Sequence, residues 1–108
     1  RGWVCFGSTP CTVNRYDIYW LIVAPESQGR GIGKTLLRYA ESSIVNRGGR
    51  MIIIETSSRA GYEGTRRFYM GRGYLETARV KDFYAEDDDR IIYMKKIGGI
   101  GESINDKA

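Results

Sequence analysis

The 108-residue sequence contains no histidine and only two cysteines. Without an imidazole, a Ser-His or Cys-His nucleophile system is excluded. Zinc sites in proteins are built largely from cysteine and histidine, so we expect no metal centre. The spacing of Cys5 and Cys11 would allow a hairpin disulfide, but we expect buried free thiols, as in a cytoplasmic protein.

Long apolar runs are also missing from the sequence. No run approaches the roughly 18 apolar residues of a membrane span, and no secretory signal is visible. The net charge of +4, with 28% charged and 42% hydrophobic residues, predicts one small soluble domain. A mild positive charge suits an anionic ligand. The lysines and arginines are scattered along the chain, however, so we expect neither nucleic acid nor a membrane as a partner.

The spacing of apolar residues predicts a mixed α/β (α+β) fold, because helices alternate with strands early and a strand hairpin comes late. The second strand is apolar almost throughout and is expected to be buried on both faces. Gly48-Gly49 and Gly73 are the expected helix stops. One domain is expected over residues 1–97, followed by a flexible tail over 98–108. The predicted strands cover 3–6, 16–23, 51–54, 74–84 and 91–97, the predicted helices 32–46 and 63–72, and the predicted hairpin loop 85–90.

A glycine-rich loop, Gln28-Gly29-Arg30-Gly31-Ile32-Gly33, joins the second strand to the first helix. Glycines at such a turn leave the amide groups of the helix start open to an anion, which predicts a phosphate or pyrophosphate cradle. The spacing is not that of a P-loop, which would require glycine where Gln28 stands, nor that of the G-x-G-x-x-G dinucleotide fingerprint. The alternative is a glycine-rich turn without a ligand.

Two motifs of the chain resemble those of a known family. The pattern Gln28-x-x-Gly31-x-Gly33 resembles the acyl-CoA pyrophosphate loop of the GNAT (Gcn5-related N-acetyltransferase) superfamily. Residues 65–74 resemble its second signature, with Phe68-Tyr69 in a helix and Gly73-Tyr74 at the start of the next strand. The resemblance covers roughly residues 3–97, is strongest to members similar to the ribosomal-protein N-terminal acetyltransferases, and implies a mixed, mostly antiparallel sheet flanked by helices.

The chain departs from the family pattern at two places. The family opens with a strand, one or two helices and another strand that help to wall the acceptor pocket, and this front portion is absent here. Together with a start on Arg1 rather than Met, this suggests that upstream sequence is missing. In the second signature, Tyr62 stands where the family has Asn, and Thr65 replaces the common Ala.

The resemblance implies direct transfer of an acetyl group from acetyl-CoA to a primary amine, such as a protein N-terminus, a lysine or a small amine. Tyr69 matches the family's general acid, whose phenol lies near the CoA sulfur. Glu55 matches the general base of the ribosomal-protein N-terminal acetyltransferases, and Asp17 that of histone-type members. Either carboxylate could instead be a solvated strand end or a partner for Arg66 or Arg67.

Acetyl-CoA is the co-substrate that the resemblance implies. Its pyrophosphate would be bound at the glycine-rich loop and the first helical turn, and its pantetheine amides by the backbone of the second strand. The side chains of that strand segment are expected to be core. The residues expected at the pyrophosphate are Gln28, Gly29, Arg30, Gly31, Ile32, Gly33, Lys34 and Thr35, and those expected along pantetheine are Leu21, Ile22 and Val23.

Three further interpretations remain open at this point. A non-catalytic acyl-CoA-binding or regulatory module of the same fold would need the glycine-rich loop but neither Tyr69 nor a carboxylate. The acidic segment 86–89, with Asp82, Phe83 and Tyr84 before it, falls where the family shapes its acceptor site; it would attract a cationic amine or simply form a soluble turn. A fold lacking its first strands would expose a sheet edge that a second copy of the chain could cover.

Overall fold

A computed structural model of the chain describes residues 2–24, 28–29 and 31–98. These residues divide into two units, one containing the described residues up to Ile52 together with 96–98, and the other containing Ile53–Lys95. No helix in these described ranges is both long and apolar enough to cross a membrane.

The first unit is built from a strand pair and a helix. Strands β1 (Gly2–Ser8) and β2 (Arg15–Val23) are antiparallel, and helix α1 (Ile32–Asn46) contacts both. The pairing shifts between Cys5, which lies opposite Trp20, and Phe6, which lies opposite Ile18. Tyr19 is therefore the extra residue of a β-bulge in β2.

The second strand is not buried on both faces, so that expectation was wrong. Ile18 is buried, but Tyr19 and Ile22 are exposed, and Leu21 and Val23 are half-buried. A strand with a nearly continuous apolar run is buried on both faces only when other elements cover both faces. The sequence of the strand alone does not show which elements cover it.

Helix α1 has the predicted bounds. Its inward stripe follows the helical repeat, with Leu37, Ala40 and Ile44 buried. At its end Gly48 has a φ of 85°, its N–H donates to the carbonyl of Val45, and the N–H of Gly49 donates to the carbonyl of Ile44. These two bonds form a Schellman motif, which is why the glycine pair ends the helix there.

The second unit contains most of β3 (Met51–Ser57), a 3₁₀ turn (Ala60–Tyr62), helix α2 (Glu63–Met70) and strands β4 (Leu75–Ala85) and β5 (Asp88–Lys96). Its strands are neighbours in the order β3-β5-β4, and β4 and β5 are antiparallel. Strand β5 buries alternate residues such as Ile91 and Tyr93, whereas β4 is exposed along its whole length.

Helix α2 ends at Met70, two residues before its predicted end, and Gly73 still closes it. Gly73 has a φ of 95°, and its N–H donates to the carbonyl of Met70, while the N–H of Tyr74 donates to the carbonyl of Tyr69. The left-handed conformation needs no Cβ, so glycine is the residue that fits this turn.

Two further predicted boundaries in the second unit were wrong. Strand β3 continues to Ser57, so Glu55 lies inside the strand and not at its end. The hairpin loop is reduced to Glu86 and Asp87, because β5 already begins at Asp88. A run of four acidic residues looks like a solvated loop, but Asp88 and its neighbour Asp89 are buried and bonded to the polypeptide around them.

Both cysteines are free thiols, as expected, but they are not both buried. Cys5 is half-buried in β1. Cys11 is exposed in the turn between β1 and β2, where its φ is 63°. Turns between antiparallel strands lie at the surface, so a thiol there cannot be a core residue.

Alanine should have opposite effects on stability at two glycines, Gly49 after the end of α1 and Gly64 inside α2. A Cβ on Gly49 would collide with the Ile44 side chain and lie 2.8 Å from the Ile44 carbonyl oxygen and 3.0 Å from the Tyr16 ring. At Gly64, inside α2, no described residue beyond its chain neighbours and its own helix backbone lies within 4 Å of that position. In urea unfolding, G49A should lower the free energy of unfolding by about 1–3 kcal/mol, and G64A should raise it by about 0.5–1 kcal/mol. Equal effects of the two changes would contradict this account of the α1 stop.

Candidate functional site

The glycine-rich loop opens directly onto the start of α1. Gly29 and Gly31 have φ values of 82° and 76°, and apart from their chain neighbours no heavy atom of the described residues lies within 4 Å of the position where either would carry a Cβ. The carbonyl of Gly31 accepts the first helical hydrogen bond from the Thr35 N–H, at 3.0 Å, and a second bond from the Thr35 hydroxyl, at 3.1 Å. The left-handed conformation at Gly31 thus turns the chain into the helix and leaves the space beside it empty.

The first turn of α1 is electropositive. In any α-helix the N–H groups of the first turn have no partner within the helix, and here these include the groups of Ile32, Gly33 and Lys34. Gly31 has no side chain to cap them, and the first turn carries no acidic residue. The side chains of Lys34 and Thr35 are exposed beside these groups. An anion at this helix end would therefore meet N–H groups that have no partner within the helix, and the positive end of the helix dipole.

Two of the expected pyrophosphate residues require separate comment. The side-chain amide of Gln28 donates to the carbonyl of Val23, at 3.1 Å, so it ties the loop back to the end of β2 and does not point to a ligand. Arg30 lies outside the described residues. The expectation for the Gln28 backbone amide stays a prediction.

The strand segment expected along pantetheine lies opposite β1. Leu21, Ile22 and Val23 pair with Val4, Trp3 and Gly2. The expectation that their side chains are core was wrong for Ile22, which is exposed. The pairing of their backbone with pantetheine remains a prediction.

Tyr69 lies in the core of the second unit. Its side chain is 6% exposed and packs edge-on against Phe68 and Tyr74, with ring centroids 5.4 and 5.7 Å apart. Burial raises the pKa of the Tyr69 phenol to about 12, because the phenolate loses its hydration. The hydroxyl therefore keeps its proton at every physiological pH and can donate a hydrogen bond.

Glu55 is neither a solvated strand end nor a partner of Arg66 or Arg67. Its carboxylate, 41% exposed, forms an ion pair with Arg90 of β5, whose guanidinium lies 4.9 Å from the centre of the Phe83 ring. Arg66 donates instead to backbone carbonyls, and Arg67 pairs with Glu63 on its own helix.

Asp17, the rival carboxylate, lies in the first unit, whereas Glu55 and Tyr69 lie in the second. It is half-buried in β2 opposite Gly7. Within the second unit, therefore, the structure holds one candidate base and the candidate acid.

Glu55 also borders a cavity of about 400 Å³ in the second unit, which we call the Glu55 cavity. Sequence reasoning missed Ser57 and Arg59, and it noted Tyr62 only as a departure from the family pattern. The signal for the cavity was the polar stretch directly after an apolar strand, where binding residues often lie. The cavity is lined by Glu55, Thr56, Ser57, Arg59, Tyr62, Tyr84 and Asp88.

Two of the four residues of the acidic segment 86–89, Asp88 and Asp89, are buried and do not form an exposed rim. Asp88 accepts a hydrogen bond from the Ser57 hydroxyl. Asp89 pairs with Arg79 at 3.0 Å and accepts the N–H of Asp82 at 3.0 Å. The backbone N–H of Asp82, followed by Arg79, holds the pKa of Asp89 below its usual value. Only Glu86 and Asp87 of this segment are exposed.

Comparison with known families identifies the family of the chain. Residues 1–74 match the model described as the Acetyltransferase (GNAT) family. The chain belongs to this family. The match includes both the loop at Gly31 and the helix that carries Tyr69, as the resemblance of the two motifs predicted. No curated protein sequence gives a significant match.

Solved structures of GNAT proteins share the fold. A Desulfovibrio desulfuricans protein assigned to the GNAT acetyltransferases is 42% identical, with a TM-score of 0.86 over 88% of this chain and 60% of that one. The Escherichia coli ribosomal-protein-S18-alanine N-acetyltransferase is 23% identical, with a TM-score of 0.72 over 85% and 60%. A GNAT acetyltransferase from Elizabethkingia anophelis, solved with acetyl-CoA bound, is 22% identical, with a TM-score of 0.73 over 87% and 68%.

These similarities confirm the predicted mixed α/β GNAT fold. They also show that the chain spans about 60% of the length of the first two of these GNAT structures.

The burial of Tyr69 predicts how the protein titrates in alkali. In the unfolded chain the phenol ionises near pH 10, so folding stability should begin to fall above that pH and be lost progressively up to about 12. The loss attributable to Tyr69 is at most roughly 3 kcal/mol, since one pKa unit corresponds to about 1.4 kcal/mol. Tyrosinate absorbance of the folded protein should show an ionisation near 12 that Y69F removes. The control is Y39F, because Tyr39 is 64% exposed on α1. If Y69F and Y39F removed the same ionisation, burial would not be the cause.

Proposed function

We propose that this protein is an acetyl-CoA-dependent N-acetyltransferase that moves the acetyl group directly to a primary amine. The observation that supports the proposal is the open helix start at Gly31, within a chain of the GNAT family. A pyrophosphate carries negative charge that free backbone N–H groups and a helix N-terminus stabilise, by about 0.3–1 kcal/mol for the helix dipole alone at an exposed site. Lys34 adds a full positive charge at the same turn.

The strand β2 supplies the second part of the proposed co-substrate site. The bulge at Tyr19 interrupts the regular pairing of β2 with β1, and bulges re-aim backbone groups. A backbone N–H turned out of the ladder is the kind of donor that stabilises the oxyanion of an acyl-transfer intermediate. In this proposal the backbone of Leu21, Ile22 and Val23, beyond the bulge, binds pantetheine.

Tyr69 serves the leaving thiolate in this mechanism as a hydrogen-bond donor. A thiol has a pKa of about 8.5, whereas burial places that of Tyr69 at about 12. Complete transfer of the phenolic proton to the thiolate would be unfavourable by on the order of 5 kcal/mol, at about 1.4 kcal/mol per unit. Donation of a hydrogen bond needs no such transfer, so we assign that role to Tyr69.

Glu55 is the base of our proposal, and Asp17 is the alternative. Glu55 borders the cavity of the second unit, where an acceptor amine can reach it. The carboxylate of Glu55 is ion-paired with Arg90, and a carboxylate can accept a proton directly or through water.

A second candidate function, a non-catalytic acyl-CoA-binding module, is favoured by the same ion pair. A carboxylate held by Arg90 and a phenol held in the core also fit purely structural roles.

Turnover separates the two functions. The enzyme should acetylate an amine, with a kcat that falls by about 10- to 100-fold in Y69F at unchanged acetyl-CoA affinity. The module would bind acetyl-CoA without turnover.

The two ends of α1 provide the test of acetyl-CoA binding. Gly31 and Gly48 both adopt left-handed conformations, so alanine at either position introduces a similar backbone strain of about 1–2 kcal/mol. Only G31A places a methyl group in the space where the phosphates would bind. In calorimetry, G31A should weaken acetyl-CoA binding at least about tenfold, which is about 1.4 kcal/mol, and G48A should bind as the parent does. Equal affinities of G31A and G48A, or no binding by the folded parent, would refute the proposal.

A further inference from the structure

We propose that the Glu55 cavity binds a free α-amino acid as the acceptor, with Arg59 holding its carboxylate. This inference rests on the proposed function, because it identifies the amine that is acetylated. It goes beyond that function in assigning an anion-binding role to Arg59.

Arg59 differs from the other arginines of the second unit in how little its guanidinium is used. Its side chain is 69% exposed, and its ionic contact is with Asp88 at 3.9 Å, which is longer than a hydrogen bond. Arg66 donates to the carbonyls of Ser57 and Arg59 at 2.7 and 2.9 Å, Arg79 pairs with Asp89, and Arg90 pairs with Glu55. Among the described residues, Arg59 thus presents a guanidinium with unused donors at the cavity wall.

The backbone that carries Arg59 is held firmly. The N–H of Arg59 donates to the Ser57 hydroxyl oxygen at 3.1 Å, and the N–H of Tyr62 donates to the Arg59 carbonyl at 2.9 Å. Ser58 exchanges two bonds with Asp89, at 3.0 and 2.8 Å. A guanidinium presented from a fixed loop loses less conformational entropy on binding than one on a mobile loop.

Arg59 is the cavity residue that we expect to bind an anionic group of the ligand. The carboxylate of Glu55 is paired with Arg90, and that of Asp88, 8% exposed, accepts the Ser57 hydroxyl and lies 3.9 Å from Arg59, too far to occupy the donors of its guanidinium. A planar guanidinium binds a carboxylate through two parallel hydrogen bonds, which gives both strength and orientation. An acceptor with a carboxylate next to its amine would then hold the amine in the same cavity that Glu55 borders.

Two tyrosines provide a surface for the side chain of the amino acid. Tyr62 and Tyr84 both line the cavity and are 46% and 48% exposed. Tyr84 is fixed by an edge-on contact with Phe83, with centroids 5.0 Å apart. Aromatic rings offer a large apolar contact area at a small cost in conformational entropy. The volume of about 400 Å³ lies in the range of pockets for small ligands.

The absence of histidine favours an α-amine over a lysine as the nucleophile. The α-amine of a free amino acid has a lower pKa than a lysine amine, so a larger fraction of it is neutral at pH 7. A site without an imidazole to accept the proton gains most from an amine that is already partly neutral.

The test compares L-phenylalanine, L-leucine and L-methionine, each as the free acid and as the amide, in steady-state acetylation by the full chain. The amide keeps the side chain and lacks the carboxylate charge; because that loss also lowers the pKa of the α-amine, kcat/KM is compared per neutral amine. The parent should prefer each acid over its amide by about tenfold or more in kcat/KM, and R59Q should lower kcat/KM for the acid by about 10- to 100-fold through KM. R59Q should change the amide less than twofold. The matched control is R67Q, which removes a charge from an exposed arginine that pairs with Glu63 outside the cavity.

A binding measurement keeps the inference separate from the proposed function. The Arg59 Nε–H resonance, assigned by its loss in R59Q, should shift with L-phenylalanine and not with L-phenylalaninamide. That shift without acetylation of these amino acids would support the carboxylate site and overturn their role as the acceptor, while acetyl-CoA binding tests the acetyltransferase separately. Equal acetylation of acids and amides, or an equal loss of both in R59Q, would leave the acetyltransferase standing and overturn the role of Arg59. The absence of both turnover and shift would overturn the amino-acid site.

Discussion

Gly31 adopts a left-handed conformation directly before α1, and the functional account depends on that one backbone angle. A residue with a Cβ would be strained there and would occupy the space beside the first helical turn. Because the residue is glycine, the helix begins with its N–H groups open and with no capping side chain. The opposite end of α1 is closed by a second left-handed glycine, Gly48, in a Schellman motif. The same conformation thus closes one helix end and leaves the other available to an anion.

The second unit depends on a different constraint, the attachment of the loop after β3 to the start of β5. Ser57 and Ser58 bind the buried Asp88 and Asp89 through side-chain and backbone groups. These bonds hold the wall of the Glu55 cavity and carry Arg59 to its edge. Buried carboxylates are stable only when they are hydrogen-bonded or paired, so the acidic residues act as anchors of the hairpin.

Local patterns in the sequence predicted the features that depend on local geometry. The helical repeat gave the bounds of α1, and the glycines gave its open start and its closed end. The pairing of Glu55 with Arg90 joins residues 35 positions apart on different strands, and sequence reasoning considered only Arg66 or Arg67 as alternative partners. The burial of Asp88 and Asp89 and the position of Arg59 depend on which strands become neighbours. Such contacts between distant segments follow from strand order and packing, which a residue's own neighbourhood does not encode.

Amide chemical shifts measured during titration with acetyl-CoA would test the central claim most directly, namely that the start of α1 holds the pyrophosphate of the co-substrate. The account predicts that the backbone N–H resonances of Ile32, Gly33 and Lys34 move most, with NAD producing much smaller changes at equal concentration. Shifts confined to other parts of the chain, with these three resonances unmoved at saturation, would contradict it.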